Sequence, residues 1–116
     1  MVLYVDDSEL RCNTVVRQLA ALRMPCQVAA DTRAACAQLA VSRPDAIVVD
    51  AIDSAIDGLR SLHRLRDAGY EGLLILNSDR FSPATLTTIT ELRAVPATKS
   101  ADNEALLAAL NLTVPA

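Results

Sequence analysis

Ala46-Ile47-Val48-Val49-Asp50 is an unbroken apolar run that ends on an acid, and its reading decides the fold. A run that does not alternate with polar residues fits a strand covered on both faces, as in a parallel sheet with helices above and below. A carboxylate directly after a buried strand is costly unless solvent, a metal or a partner stabilises it. Val2-Leu3-Tyr4-Val5 leads in the same way to Asp6 and Asp7, and Val95-Pro96-Ala97-Thr98 leads to Lys99. In an open parallel sheet, ligands bind outside the carboxyl ends of the strands. Asp6, Asp7, Asp50 and Lys99 are therefore expected to share one polar site.

Outward from these runs, strand and helix alternate. Residues 2–6 read as a strand, and Ser8 offers an N-cap to a helix reaching about Arg23. Cys12, Val15, Val16, Leu19 and Leu22 recur on one face of it. Pro25 precedes a strand over 26–30, and Asp31 caps an alanine-rich helix ending near Val41. After 46–49 comes an irregular stretch, 51–55, then a helix from about Asp57 to Ala68 with Leu59, Leu62 and Leu65 inward. Asp57 with Gly58 reads as a turn and N-cap rather than a ligand. Leu73-Leu74-Ile75-Leu76 is a fourth buried strand. Pro83 opens a threonine-rich, intrinsically weak helix whose inner face is Leu86, Ile89 and Leu92. A strand over 94–98 and a helix over 102–111, with Leu106, Leu107 and Leu110 inward, complete five βα units. Short connections make this one doubly wound α/β domain.

The composition agrees. Hydrophobic residues make up 52% of the 116, so a packed core is expected rather than disorder. Aromatics are 3%, so Ala, Leu, Ile and Val must build that core. A net charge of −3, with no basic face beyond Arg60, Arg64 and Arg66, argues against direct nucleic-acid binding. His63 beside those arginines reads as part of a solvated face. No run approaches the length of a membrane span, and no signal peptide is read before the first strand. A reducing cytoplasmic location follows, with Cys12, Cys26 and Cys36 as small apolar core residues.

Taken in order, these residues resemble the receiver domain of two-component response regulators. Val2-Leu3-Tyr4-Val5-Asp6-Asp7-Ser8 is similar to that family's opening, with its paired acids, and Ala46–Asp50 to its phosphoacceptor strand. The loop Ala51-Ile52-Asp53-Ser54-Ala55-Ile56-Asp57-Gly58-Leu59 matches at equal length, and Thr98-Lys99 resembles the lysine ending the fifth strand. The resemblance spans essentially the whole chain as one receiver domain, 1–116, with no output domain in it. It implies the flavodoxin-like fold: a five-stranded parallel sheet in order 2-1-3-4-5 with helices on both faces. It also implies that Asp50 is phosphorylated by a histidine kinase or histidine phosphotransfer protein. Asp7, Asp50 and the backbone carbonyl of Ile52 would ligate Mg²⁺, Asp6 would order its water shell, and Lys99 would pair with the acids and then with the phosphoryl group. Hard oxygen ligands suit Mg²⁺, phosphoryl transfer needs positioning and charge neutralisation, and an ionised carboxylate nucleophile needs no general base.

The implied role is a signalling switch and not an enzyme. Its partners would be the kinase or phosphotransfer protein and a downstream protein or fused output domain, with a homodimer allowed and neither membrane nor nucleic acid bound directly. Read without the resemblance, Asp6 and Asp7 are equally at home as helix-capping acids beside Ser8. The pattern also departs from the family. Asn77 falls where a Ser or Thr hydroxyl is usual, although a register slip of one would put Ser78 there. Pro96 replaces the rotating aromatic three residues before the lysine, and suits an interior strand poorly. Ser100 follows Lys99 in place of the usual proline, Ser54 replaces another, and the stretch from Phe81 to Lys99 is slightly short. An altered output face on the fourth helix and fifth strand is expected. The competing role is a degenerate receiver that binds partners without phosphorylation; a Mg²⁺-dependent phosphatase or phosphotransferase is disfavoured because no segment could form a substrate cap.

Overall fold

A computed structural model describes residues 1–51 and 55–113, with side chains described to residue 111. The elements run β1 (Val2–Val5), α1 (Glu9–Ala21), β2 (Cys26–Ala29), α2 (Thr32–Leu39), β3 (Ala46–Asp50), α3 (Ala55–Asp67), β4 (Leu73–Ser78), α4 (Pro83–Glu91), β5 (Ala94–Thr98) and α5 (Glu104–Thr113). All the strand pairs are parallel, in the order β2-β1-β3-β4-β5. This is the doubly wound sheet that the unalternating strands implied. No described helix is long and apolar enough to cross a membrane.

Successive side chains of a strand point to opposite faces, and here each face has its own core. Leu3, Val5, Ile47, Val49, Leu74 and Leu76 pack against α2, α3 and α4. Val2, Tyr4, Ala46, Val48, Ile75 and Ala97 pack against α1 and α5. That alternation fixes where the residues just beyond the strands point, so it also builds the site.

The expected caps form: Ser8 Oγ accepts from Arg11 N, Asp31 from Ala34 N, and Ser82 from Thr85 N with Pro83 at the helix start. Several sequence expectations change. α3 already includes Ala55, so Asp57 lies in its first turn and is not its N-cap. Gly58 is needed for packing: a Cβ there would lie 2.3 Å from Leu76 Cδ1, in a fully buried contact. α4 turns Thr85 and Ile89 inward, one turn apart, and leaves Leu86 40% exposed at the flank. Its other threonines return their hydroxyls to carbonyls four residues back. Four threonines cost a helix about 2.5 kcal/mol; burying Ile89 recovers about 2 kcal/mol and the Ser82 cap about 1 kcal/mol. α4 is held by its packing.

Arg66 leaves the expected basic face and donates to the carbonyls of Tyr70, Gly72, Leu92 and Arg93, joining the loop after α3 to the loop after α4. Of the three cysteines, all free, Cys12 is buried and Cys26 and Cys36 are partly exposed. Pro96 is exposed, and β5 is an edge strand rather than an interior one. An edge is where a strand tolerates proline.

Candidate functional site

Tyr4, Val48, Ile75 and Ala97 all face the α1 and α5 side of the sheet. Two residues further along each strand stand Asp6, Asp50, Asn77 and Lys99. Period-two alternation therefore turns four polar side chains to the same side, at the carboxyl ends of β1, β3, β4 and β5. Asp50, Asn77 and Lys99 border a cleft of about 270 Å³ between the sheet end, α1 and the loop after β5, and Arg11 lines it from α1.

Asp50 lies beside Asn77 in the β3–β4 register. Its side chain is 1% exposed. Lys99 Nζ sits 3.1 Å from Asp50 Oδ1 and also donates to the Ala51 carbonyl at 2.8 Å. Asn77 Nδ2 donates to Asp50 Oδ1 at 3.4 Å. Ser78 instead turns its hydroxyl to the Arg80 carbonyl, so Asn77 is the residue of this pair that borders the acid. Asn77 Oδ1 is buried and has no hydrogen-bond partner among the described residues. Burial pushes the Asp50 carboxyl up, Lys99 pulls it down through its hydrogen bond and charge, and the net position is above the usual aspartate value.

Asp6 is also buried but better satisfied. It accepts from Tyr4 Oη at 3.1 Å, Ser8 N at 3.0 Å, Arg11 Nε at 2.8 Å and Arg11 Nη2 at 2.9 Å. Burial works to raise this carboxyl, but the hydrogen bonds from Arg11, Ser8 and Tyr4 outweigh it and hold it below the usual value. The Tyr4 hydroxyl is pushed far up, first by burial and then by the neighbouring Asp50 and Asp6.

Asp7 behaves differently. Its side chain is 74% exposed, and its recorded ion pair is with Arg11 at 3.9 Å. Ile52, with its expected ligating carbonyl, and Asp53 and Ser54 lie outside the described residues. His63 is exposed on α3, as its surroundings implied.

The sequence reading missed Arg11. Its Nε is 2.8 Å from Asp6 Oδ2 and 3.6 Å from Asp50 Oδ2. Together with the Asp7 contact, one guanidinium lies within 4.0 Å of all three acids that the resemblance assigns to Mg²⁺. The available signal was spacing: Arg11 is four residues after Asp7 and in the first turns of α1, where a long side chain can reach back over the strand end. Mg²⁺ demands oxygens at about 2.0–2.1 Å in near-octahedral geometry. Among the described residues no group of three acids, histidines or cysteines is set to hold a metal ion. As arranged, these side chains fit a guanidinium and not a divalent cation.

No family model matches the sequence, and no curated protein matches it. Solved structures do. The Vibrio cholerae chemotaxis protein CheY4 is 24% identical with a TM-score of 0.81, and the match covers 97% of each chain. The receiver domain of a signal transduction histidine kinase from Syntrophus aciditrophicus is 21% identical at TM-score 0.79, covering 97% of this chain and 88% of that one. The response regulator TrrA of Thermotoga maritima, in complex with Mg²⁺-BeF, is 16% identical at TM-score 0.78, with 97% of each chain covered. The chain has the flavodoxin-like fold of these receiver domains.

Proposed function

We propose that this chain is a two-component receiver domain, a signalling module that accepts a phosphoryl group on Asp50 from a histidine kinase or histidine phosphotransfer protein. The observation that carries the reading is the Asp50 carboxylate at the end of a central strand, with Lys99 Nζ at 3.1 Å and the Asn77 amide beside it. In the transfer, a carboxylate oxygen of Asp50 attacks phosphorus and the phosphorus–nitrogen bond of the donor phosphohistidine breaks. The imidazole leaves with the bonding electrons and takes its proton from solvent. Lys99 then bonds a phosphoryl oxygen, and Asn77 donates an amide N–H where a hydroxyl is usual. The phosphoryl group carries nearly two negative charges where the carboxylate carried one, and it brings new acceptor oxygens next to Lys99, enough to bias a neighbouring surface. Asn77 and Pro96 make the output switch atypical: Pro96 has no aromatic side chain to rotate, so the signal passes through another surface or through a changed equilibrium between states. A conventional phosphorylation-driven rearrangement of α4 and β5, seen by NMR, would refute that part. Asp7, Asp50 and the Ile52 carbonyl, with Asp6 in the outer shell, would take their expected metal roles only if Arg11 leaves.

The test is incubation with acetyl phosphate, with and without Mg²⁺, read by intact mass. One added phosphoryl group that is lost in Asp50→Asn supports the proposal. No mass gain under either condition favours the second reading, an interaction module that works without phosphorylation. Asn77 and Pro96 are the observations on its side.

A further inference from the structure

Five charged side chains meet at the sheet end: Asp6, Asp7 and Asp50 against Arg11 and Lys99. Among the described residues Lys99 serves Asp50 alone of the acids, with a further bond to the Ala51 carbonyl. Arg11 serves all three. Its two nitrogens grip both oxygens of Asp6, a bidentate pairing that fixes the plane of the guanidinium. The same Nε faces Asp50 across the gap between β1 and β3. A cation bonded to both Asp6 Oδ2 and Asp50 Oδ2 would have to lie beside Nε, like charge against like charge.

The geometry points to Arg11 as a resident cation that occupies the divalent-metal position of the acidic cleft and must be displaced before a metal can bind. The arrangement also accounts for the contrast between the acids. Asp6 is fully engaged by Arg11, and Asp7 is left to solvent instead of turning inward. An adjacent buried acceptor, Asn77 Oδ1, has no partner among the described residues. With Arg11 in place the two buried carboxylates are matched by two cations. Without it Lys99 is the one cation left against them among the described residues, and the cleft regains the negative charge and the space that a divalent ion requires. Part of the Arg11 side chain, 44%, is exposed, so it has a route out to solvent. Arg11 thus sets the metal affinity of a site that, in the proposed receiver, governs phosphorylation. The inference deepens that reading in taking these acids as the cation-binding set.

The experiment is titration of the full chain with Mn²⁺ alone, with free ion counted by electron paramagnetic resonance. Arg11→Met should bind one Mn²⁺ about tenfold more tightly than the unaltered chain, or better, because the pocket loses a competing charge. Arg11→Lys, which keeps the charge but not the bidentate grip, should fall between the two. It also serves where the methionine variant fails the circular-dichroism check for folding. Equal affinities in the unaltered chain and the variants overturn the inference, as does the absence of saturable binding in all of them. The readout is separate from phosphorylation. Absence of any mass gain in the unaltered chain would sink the phosphoacceptor reading and leave the Mn²⁺ result standing, and the reverse also holds.

Discussion

Asp6 and Asp50 end neighbouring strands that pair in register, and both side chains are almost wholly buried, yet their surroundings differ. Asp6 receives hydrogen bonds from a tyrosine, a backbone N–H and a guanidinium. Asp50 has a lysine at 3.1 Å, a long amide contact at 3.4 Å and a guanidinium at 3.6 Å. The first end of the sheet is built to keep its carboxylate ionised; the second leaves its carboxylate under-satisfied. A buried acid that is poorly compensated is a reactive one, and the protein places it where a phosphoryl acceptor is proposed.

Four substitutions break or sharpen that contrast. Asp6→Asn should have the largest effect, a loss of about 2 kcal/mol at neutral pH, because it unpairs Arg11 and leaves donors unmatched. Urea unfolding measures it, and an unchanged midpoint would mean that the network is not formed in solution. Tyr4→Phe removes one of the donors to Asp6 and should cost about 1 kcal/mol by the same measurement. Asp50→Asn should act in the opposite direction and stabilise the fold near pH 7, because burial holds the folded carboxyl above its usual value. Destabilisation by that variant would show Asp50 to be as well satisfied as Asp6. Pro96→Val should lie within about 0.5 kcal/mol of the parent, since the position is exposed on an edge strand.

The two acids also predict opposite pH dependences. Asp6 sits below its unfolded value in the fold, so its contribution is fully present above about pH 4 and is lost as pH falls through its folded value. Asp50 sits above its unfolded value. Its ionisation costs stability once pH has risen through the folded value, and that cost is absent below about pH 4. The penalty of Asp6→Asn and the gain of Asp50→Asn should therefore both be largest at neutral pH and shrink in acid, with opposite signs. Thermal unfolding of the two variants at pH 7 and pH 3 checks this.

Much of the fold was legible because buried strands and amphipathic helices carry different periods. The strand over Ala46–Val49 could be read from its composition, and Ser8, Asp31 and Pro83 marked helix starts by their hydrogen-bonding chemistry. The phase of α4 could not be read in this way. Four threonines blur the difference between its faces, and Leu86 gave way to Thr85 at the core. Asp57-Gly58 looked like a turn because glycine often makes one, whereas contact with Leu76 is what requires it.

From sequence alone came the alternation of elements and the acids and lysine at the strand ends, because short-range patterning and the cost of burying charge act locally. Tertiary structure alone decided that Asp6 turns in and Asp7 out, and that Arg11 closes over three carboxylates. Those outcomes depend on which sheet face α1 covers and on how far a side chain reaches across it, which no local pattern encodes.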